Sequence, residues 1–309
     1  MPIKWRSKLI QFVLETTYGT DPGPAAADVV LAQQVELTPM EGNDVSREIE
    51  LPYLGTQGTV PAELHAKIEF RVELAPSGSA GLAPAWGKLL RACGMAEVIN
   101  AGTSVVYNPV TDGHESASLH VYVGETRWVM TGVRGTCSLD LTAQANPYIA
   151  FEFWGLFSLP SEEVRPAPDF SAWQRPQIAS TLFTPTVSLD GVDLVTRRFM
   201  LDFGNAVEPR FLIGSEGILI TQKEEQIEMT VEAVPLTTYN PFQAALNQDE
   251  VVVQITHGTG AGRISTIDVP KAQMQRPEGL ENEQDIVEWP LKLVPVPTNG
   301  NDQFTLTLT

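Results

Sequence analysis

His65-Ala66-Lys67-Ile68-Glu69-Phe70-Arg71-Val72-Glu73-Leu74 alternates apolar and polar side chains almost without a break. Ile68, Phe70, Val72 and Leu74 fall on one face, and Lys67, Glu69, Arg71 and Glu73 on the other. A period of two marks a strand with one buried and one wetted face. The pattern recurs. Moved by 159 positions, Ile68 meets Ile227, Glu69 meets Glu228, Val72 meets Val231 and Glu73 meets Glu232. The same shift lays Gly55 on Gly214 and Gly58 on Gly217. A shift of 157 then lays Pro84 on Pro241 and Leu89 on Leu246, so a helix signal follows the strand in both places. Glycines, strand and helix in one order at nearly one spacing point to an internal duplication.

Outward from this repeat, strand character returns in Leu119 to Val123, Trp128 to Val133, Thr136 to Leu141 and Tyr148 to Phe153. The second half supplies Phe199 to Asp202, Ile218 to Thr221, Gln226 to Ala233, Val251 to Thr256, Arg263 to Val269 and Ile286 to Val294. Helix signals are few. Pro84 to Gly94 has Pro at its start and Gly at its end, and Asn240-Pro241 reads as an N-cap followed by Pro in the first turn. The expected fold is therefore mostly β: two tandem β-sandwich or barrel domains, each with one short helix. The expected organisation is an N-terminal arm over 1–35, a first domain over 36–158, a stiff Pro-rich linker over 159–182 and a second domain over 183–309. The arm has no counterpart in the second copy, and only the second copy carries an extra C-terminal strand.

Composition narrows the function. The 309 residues carry a net charge of −18, which disfavours gripping nucleic acid phosphates. An acidic surface facing a polyanion would instead let it pass. No apolar run approaches a membrane span, and residues 9–15 are too short and polar for a secretory signal. Cys93 and Cys137 lack metal-ligand spacing and read as free thiols. His65, His114, His120 and His257 are scattered outside any motif. Gly258-Thr259-Gly260-Ala261-Gly262 follows a strand but leads into another, so it reads as a hairpin loop and not a dinucleotide cradle. No catalytic, cofactor or metal site is expected.

A duplicated domain suits a ring, in which three chains supply six similar places. With four strands lent by each domain, roughly 24 strands would line a wall ~45 Å across between backbones and ~35 Å between side-chain tips. That channel would pass a DNA duplex. Glu69, Glu73, Glu228 and Glu232 are the candidates to face it. Gly55, Gly58, Gly214 and Gly217 mark the loops expected, with residues 1–35, to join successive rings and to be flexible before they do. The alternative is a two-domain β-sandwich binding module, a fibre, adhesin or carbohydrate-binding protein, which should expose an aromatic patch.

Three stretches sharpen the choice: Glu15-Thr16-Thr17-Tyr18-Gly19-Thr20-Asp21-Pro22 with Val35 to Gly42, Ala83 to Gly94, and Leu293 to Asp302. In this order they resemble the major tail (tail tube) proteins of long, non-contractile-tailed bacteriophages, the siphophages. The resemblance implies a structural virion protein without catalytic residues. Its implied domain is a β-sandwich flanked by one helix, forming stacked rings around a tape measure protein. The tube lies between a tail terminator and a distal tail protein, is assembled in the bacterial host cytoplasm, and conducts genomic DNA. Many members form hexamers of single domains, and duplicated members are expected as homotrimers forming pseudo-hexameric rings.

Overall fold

The computed structural model describes residues 3–309. The first half holds β1 (Lys8–Leu14), β2 (Val29–Val30), β3 (Gln33–Ser46), β4 (Thr59–Glu73) and α1 (Gly87–Ala92). It continues with β5 (Met95–Asn100), β6 (Ser104–Pro109), β7 (Ala117–Val123), β8 (Thr126–Thr142) and β9 (Tyr148–Phe157). After β10 (Ser161–Glu162) come β11 (Thr186–Leu189), β12 (Val192–Asp193), β13 (Thr196–Asp202), β14 (Asn205–Leu212), β15 (Ser215–Lys223), β16 (Gln226–Glu232) and α2 (Pro241–Asn247). The chain closes with β17 (Glu250–His257), β18 (Ser265–Met274), β19 (Glu281–Glu283), β20 (Ile286–Pro295) and β21 (Thr305–Leu308).

All but the last residue of the opening decapeptide lie in β4, with the predicted facing: Ile68 and Val72 are 0% exposed and Phe70 is 2% exposed. Both expected helices form. Asn240 Oδ1 accepts the Gln243 amide at 3.0 Å, with Pro241 as the first helical residue. Gly94 ends α1 with φ of 71°, a conformation cheap only without a Cβ.

The matching strands also have matching neighbours. Ile68 pairs with Leu37 of β3 and Phe153 of β9, while Ile227 pairs with Leu201 of β13 and Leu293 of β20. The long hairpin β3–β4 corresponds to β13–β14 followed by β15–β16, broken in the second half where Gly204 turns at φ of 58°. Further on, β1 pairs with β7 as β11 pairs with β17, and β2 lies on β1 as β12 lies on β11. The β5–β6 hairpin has no such counterpart among the described residues.

Two layers result. One is a single sheet running through both halves in the order β3-β4-β9-β8-β13-β16-β20-β19. The other contains β2-β1-β7 and β12-β11-β17-β18-β21-β6-β5. Strands β8 and β18 belong to both: the first half of β8 pairs with β7 and its last residues with β13, while β18 pairs with β17 and β21 and, through Ala272 to Met274, with β20. The apolar sides of the layers meet in one core spanning the two halves, with Phe12, Phe153, Leu201, Val253 and Ile267 among its members. The layers pack as a sandwich, and neither closes into a barrel within one chain.

The N-terminal segment corrects the expectation of an arm. Phe12 is 0% exposed and Ile10 is 2% exposed, because β1 completes the second layer. Gln11, which breaks the apolar run, is buried with its amide donating to the Ala25 carbonyl at 2.8 Å. The motif that follows is structural. Glu15 accepts hydrogen bonds from the Gly19 and Gly132 amides, each at 2.8 Å, and from the Ser116 and Ser118 hydroxyls, each at 2.7 Å. Tyr18 Oη accepts the Ile218 amide at 2.6 Å and so ties β1 to the second half. Tyr18→Phe leaves that amide without its partner beside a fully buried side chain. It should cost about 1–3 kcal/mol in urea unfolding; an unchanged midpoint would refute this role.

The stretch 128–133 and 136–141, expected as two strands, forms the single strand β8. Segment 159–182 is extended, as its prolines require, and lies along the first half: Asp169 N donates to Ala26 O at 3.1 Å and Trp173 Nε1 to Val29 O at 3.0 Å. Gly258 to Gly262 joins β17 to β18 as a hairpin loop.

Candidate functional site

The wetted face of the long sheet gathers the four candidate glutamates. Glu69 and Glu73 alternate with the buried residues of β4, and Glu228 and Glu232 with those of β16. The ladder through β9, β8 and β13 joins these strands, so all four carboxylates stand on one continuous surface.

That surface is richer in charge than the repeat alone discloses. Glu36, Glu69 and Glu152 occupy one row across β3, β4 and β9. Asp202 joins them around a shallow depression of about 350 Å³. Adjacent carboxylates would repel strongly if unrelieved. Lys67 relieves them, bonding Glu69 at 3.0 Å and also Glu152. Partial burial of its amine opposes the charge, but the hydrogen bonds to Glu152 and Glu69 prevail and raise its pKa above that of an ordinary lysine.

Further across, Arg198 covers Asp140 with bonds of 2.9 and 2.7 Å. Arg197 holds Glu288 at 2.7 Å, and this guanidinium keeps the Glu288 carboxyl below the usual carboxylate range. Lys292 stands 3.6 Å from Glu228, while Glu73 accepts from Gln33 at 3.0 Å. Glu232 lies opposite Glu288 and bonds no cation among the described residues. The face is thus acidic with interspersed cations, not uniformly negative. Glu36, Glu152, Asp140 and Asp202 escaped the sequence reading because they lie outside the repeated hexad; strand parity in β9 and β13 was the available signal.

The candidate glycines divide. Gly55 and Gly58 lie in the open β3–β4 loop, and Gly214 turns the β14–β15 hairpin at φ of 89°. Gly217 lies instead within β15, where an added Cβ would come within 3.2 Å of Tyr18 Oη. Beside these glycines are exposed apolar tips that the sequence reading passed over, notably Leu54 and Ile213, both fully exposed.

The aromatic patch required by a binding module is not assembled from the strand tryptophans. Trp289 is 3% exposed, Trp128 packs against the core, and Trp154 lies half-buried near the Lys67 ammonium, 5.2 Å away. Its parity in β9 places Trp154 on the wetted face with Glu152.

A family model described as phage tail tube protein matches residues 5–298. The chain belongs to the phage tail tube protein family. Comparison with curated proteins gave no match. A tail tube protein is a structural component of the virion tail that self-assembles into a tube, and membership implies a non-enzymatic role. No helix among the described residues is long and apolar enough to cross a membrane.

Proposed function

We propose that three copies of this tail tube protein close head to tail into a ring whose acidic inner wall conducts the genome of a siphophage. The observation that carries this reading is the eight-stranded sheet crossing both halves, with β3 at one end and β19 at the other. Unpaired strand edges invite pairing with another chain. Joining the β19 edge of one chain to the β3 edge of the next is a heterologous contact, and it removes both free edges of this sheet once the ring closes. Three such sheets supply roughly 24 strands and a wall ~45 Å across, which admits a DNA duplex.

The wetted face, with Glu69, Glu73, Glu228 and Glu232, would then line the lumen and repel phosphates. The symmetry would be truly threefold and approximately sixfold, since only the first half carries the β5–β6 hairpin and only the second breaks its long hairpin. The loop with Gly55 and Gly58 and the β14–β15 turn with Gly214 would join successive rings, burying Leu54 and Ile213. The tape measure protein, tail terminator and distal tail protein are the expected partners, with assembly in the host cytoplasm.

Electron microscopy of assembled tubes tests this. Rings of three chains with density for 24 inner strands are expected, and a ring of six chains would refute the stoichiometry.

A further inference from the structure

Equivalent positions in the two halves are unequally buried. Leu37 on β3 and Leu201 on β13 both flank the matched isoleucines. Leu201 is 1% exposed because Leu139 of β8 pairs with it across the internal junction. Leu37 is only half-buried, since β4 is the one strand that pairs with β3 among the described residues. At the far end of the sheet, Glu281 pairs with Glu288. Leu280, next along that ladder and equivalent to the buried Leu139, is 65% exposed.

The helices also differ in burial, α1 being covered within its own half by β1, β5 and β8. Leu89, Leu90 and Cys93 of the α1 segment are all 0% exposed. The C-terminal end of α1 rests on the second half, where Asn205 Nδ2 donates to the Cys93 carbonyl and Lys223 Nζ to the Gly94 carbonyl, each at 2.7 Å. The end of helix α2 makes no corresponding contact among the described residues. Its Phe242 is 43% exposed and its Leu246 77% exposed, four residues apart and so on one side of the helix.

We infer that α2 of one chain docks on the loop-proximal half of the β3–β4 hairpin of a second copy, as the end of α1 meets the β14–β15 hairpin within one. The 159-residue shift that equates the hairpins puts Leu64 in the place of Lys223. Near it Met40 is 50% exposed and Val60 is 52% exposed. The two sides match in chemistry. Inside the chain, polar Asn205 and Lys223 meet the carbonyls at the end of α1. Between chains, the apolar side chains of Met40, Val60 and Leu64, beside the mutually paired Glu41–His65 and Asn43–Glu63, meet an apolar helix side, where burial of both apolar surfaces drives association. The docking rests on the three-chain ring proposed above and assigns α2 as the outer clamp of each closing junction.

Leu246→Asp tests it. The side chain is largely exposed in the subunit, so the variant should melt as the wild type does. It should nevertheless need at least roughly tenfold more protein to assemble, because a carboxylate would have to be buried without a partner. Leu182→Asp, at the end of the extended 159–182 segment where the side chain is 70% exposed, should assemble normally. Assembly of Leu246→Asp at wild-type concentration would overturn the docking. Amide exchange of the wild type gives a second reading: residues 241–247 and 60–64 should slow at least tenfold on assembly, and unchanged rates would also overturn it. A six-chain ring of wild type would overturn the ring, whereas three-chain rings formed equally well by Leu246→Asp would overturn only the clamp.

Discussion

Replacing Glu69, Glu73, Glu228 and Glu232 together with lysine should leave tubes intact and reduce infectivity by roughly two orders of magnitude or more, since phosphate contacts accumulate along stacked rings. The substitution moves each chain from −18 to −10, with the whole change on the wetted face. Lys67 and Lys292 already stand against Glu69 and Glu228, so the new lysines would turn two neutralised pairs into paired cations. Such sites would hold a polyanion that the native wall lets slide. Folding should survive, because these side chains lie on the wetted side and make only exposed or partly exposed contacts. The same reversal at Glu162, Glu163, Glu278 and Asp285, which lie away from the central rows of that face, should leave infectivity unchanged. Plaque titre alongside microscopy of the particles reads both results. Normal titre from the first variant would remove these four residues from the lumen.

Phe153→Ala should cost about 3–5 kcal/mol of subunit stability, the range for deleting a buried aromatic ring. Phe153 is 0% exposed, with the rings of Phe12, Phe70 and Phe151 centred 5.3, 5.8 and 5.6 Å away. It joins β9 of the long sheet to β1 of the second layer. Gly135 of β8 makes room for it: a Cβ there would stand 2.4 Å from the Phe153 ring and 2.3 Å from the Glu152 carbonyl. Neighbours so tightly placed cannot collapse into the void, so the cost should fall high in its range. For a chain of 309 residues it corresponds to a drop of about 5–8 °C in melting temperature. A calorimetric shift below about 2 °C would show that the site relaxes and that the layers do not depend on this contact.

Much of this architecture is legible in local sequence. The alternation in β4, the cap at Asn240, the glycine ending α1 and the hairpin glycines at 258–262 all act within a few residues. Each appears in the structure where the sequence places it. Other elements are silent locally. β3 turns only Val35 and Leu37 onto the core, both half-buried, and stays largely exposed elsewhere because it is paired on one side only. β1 hides behind Gln11, whose buried amide finds a backbone carbonyl that no local pattern predicts. The separation of the two halves into independent domains was a natural reading of the duplication and the prolines. The pairing of β8 with β13 instead joins the halves in one sheet.

The opening strand shows the division most clearly. Its alternation by itself determined which side chains of β4 are buried and which are wetted, because side-chain direction in a strand follows from backbone geometry alone. The repeat extended that to β16. Only the tertiary structure decided that the two wetted faces belong to one surface, that Lys67 and Arg198 moderate its charge, and that free edges remain at both ends. These depend on hydrogen bonds between strands far apart in the chain, and nothing local encodes which distant strand will be the partner.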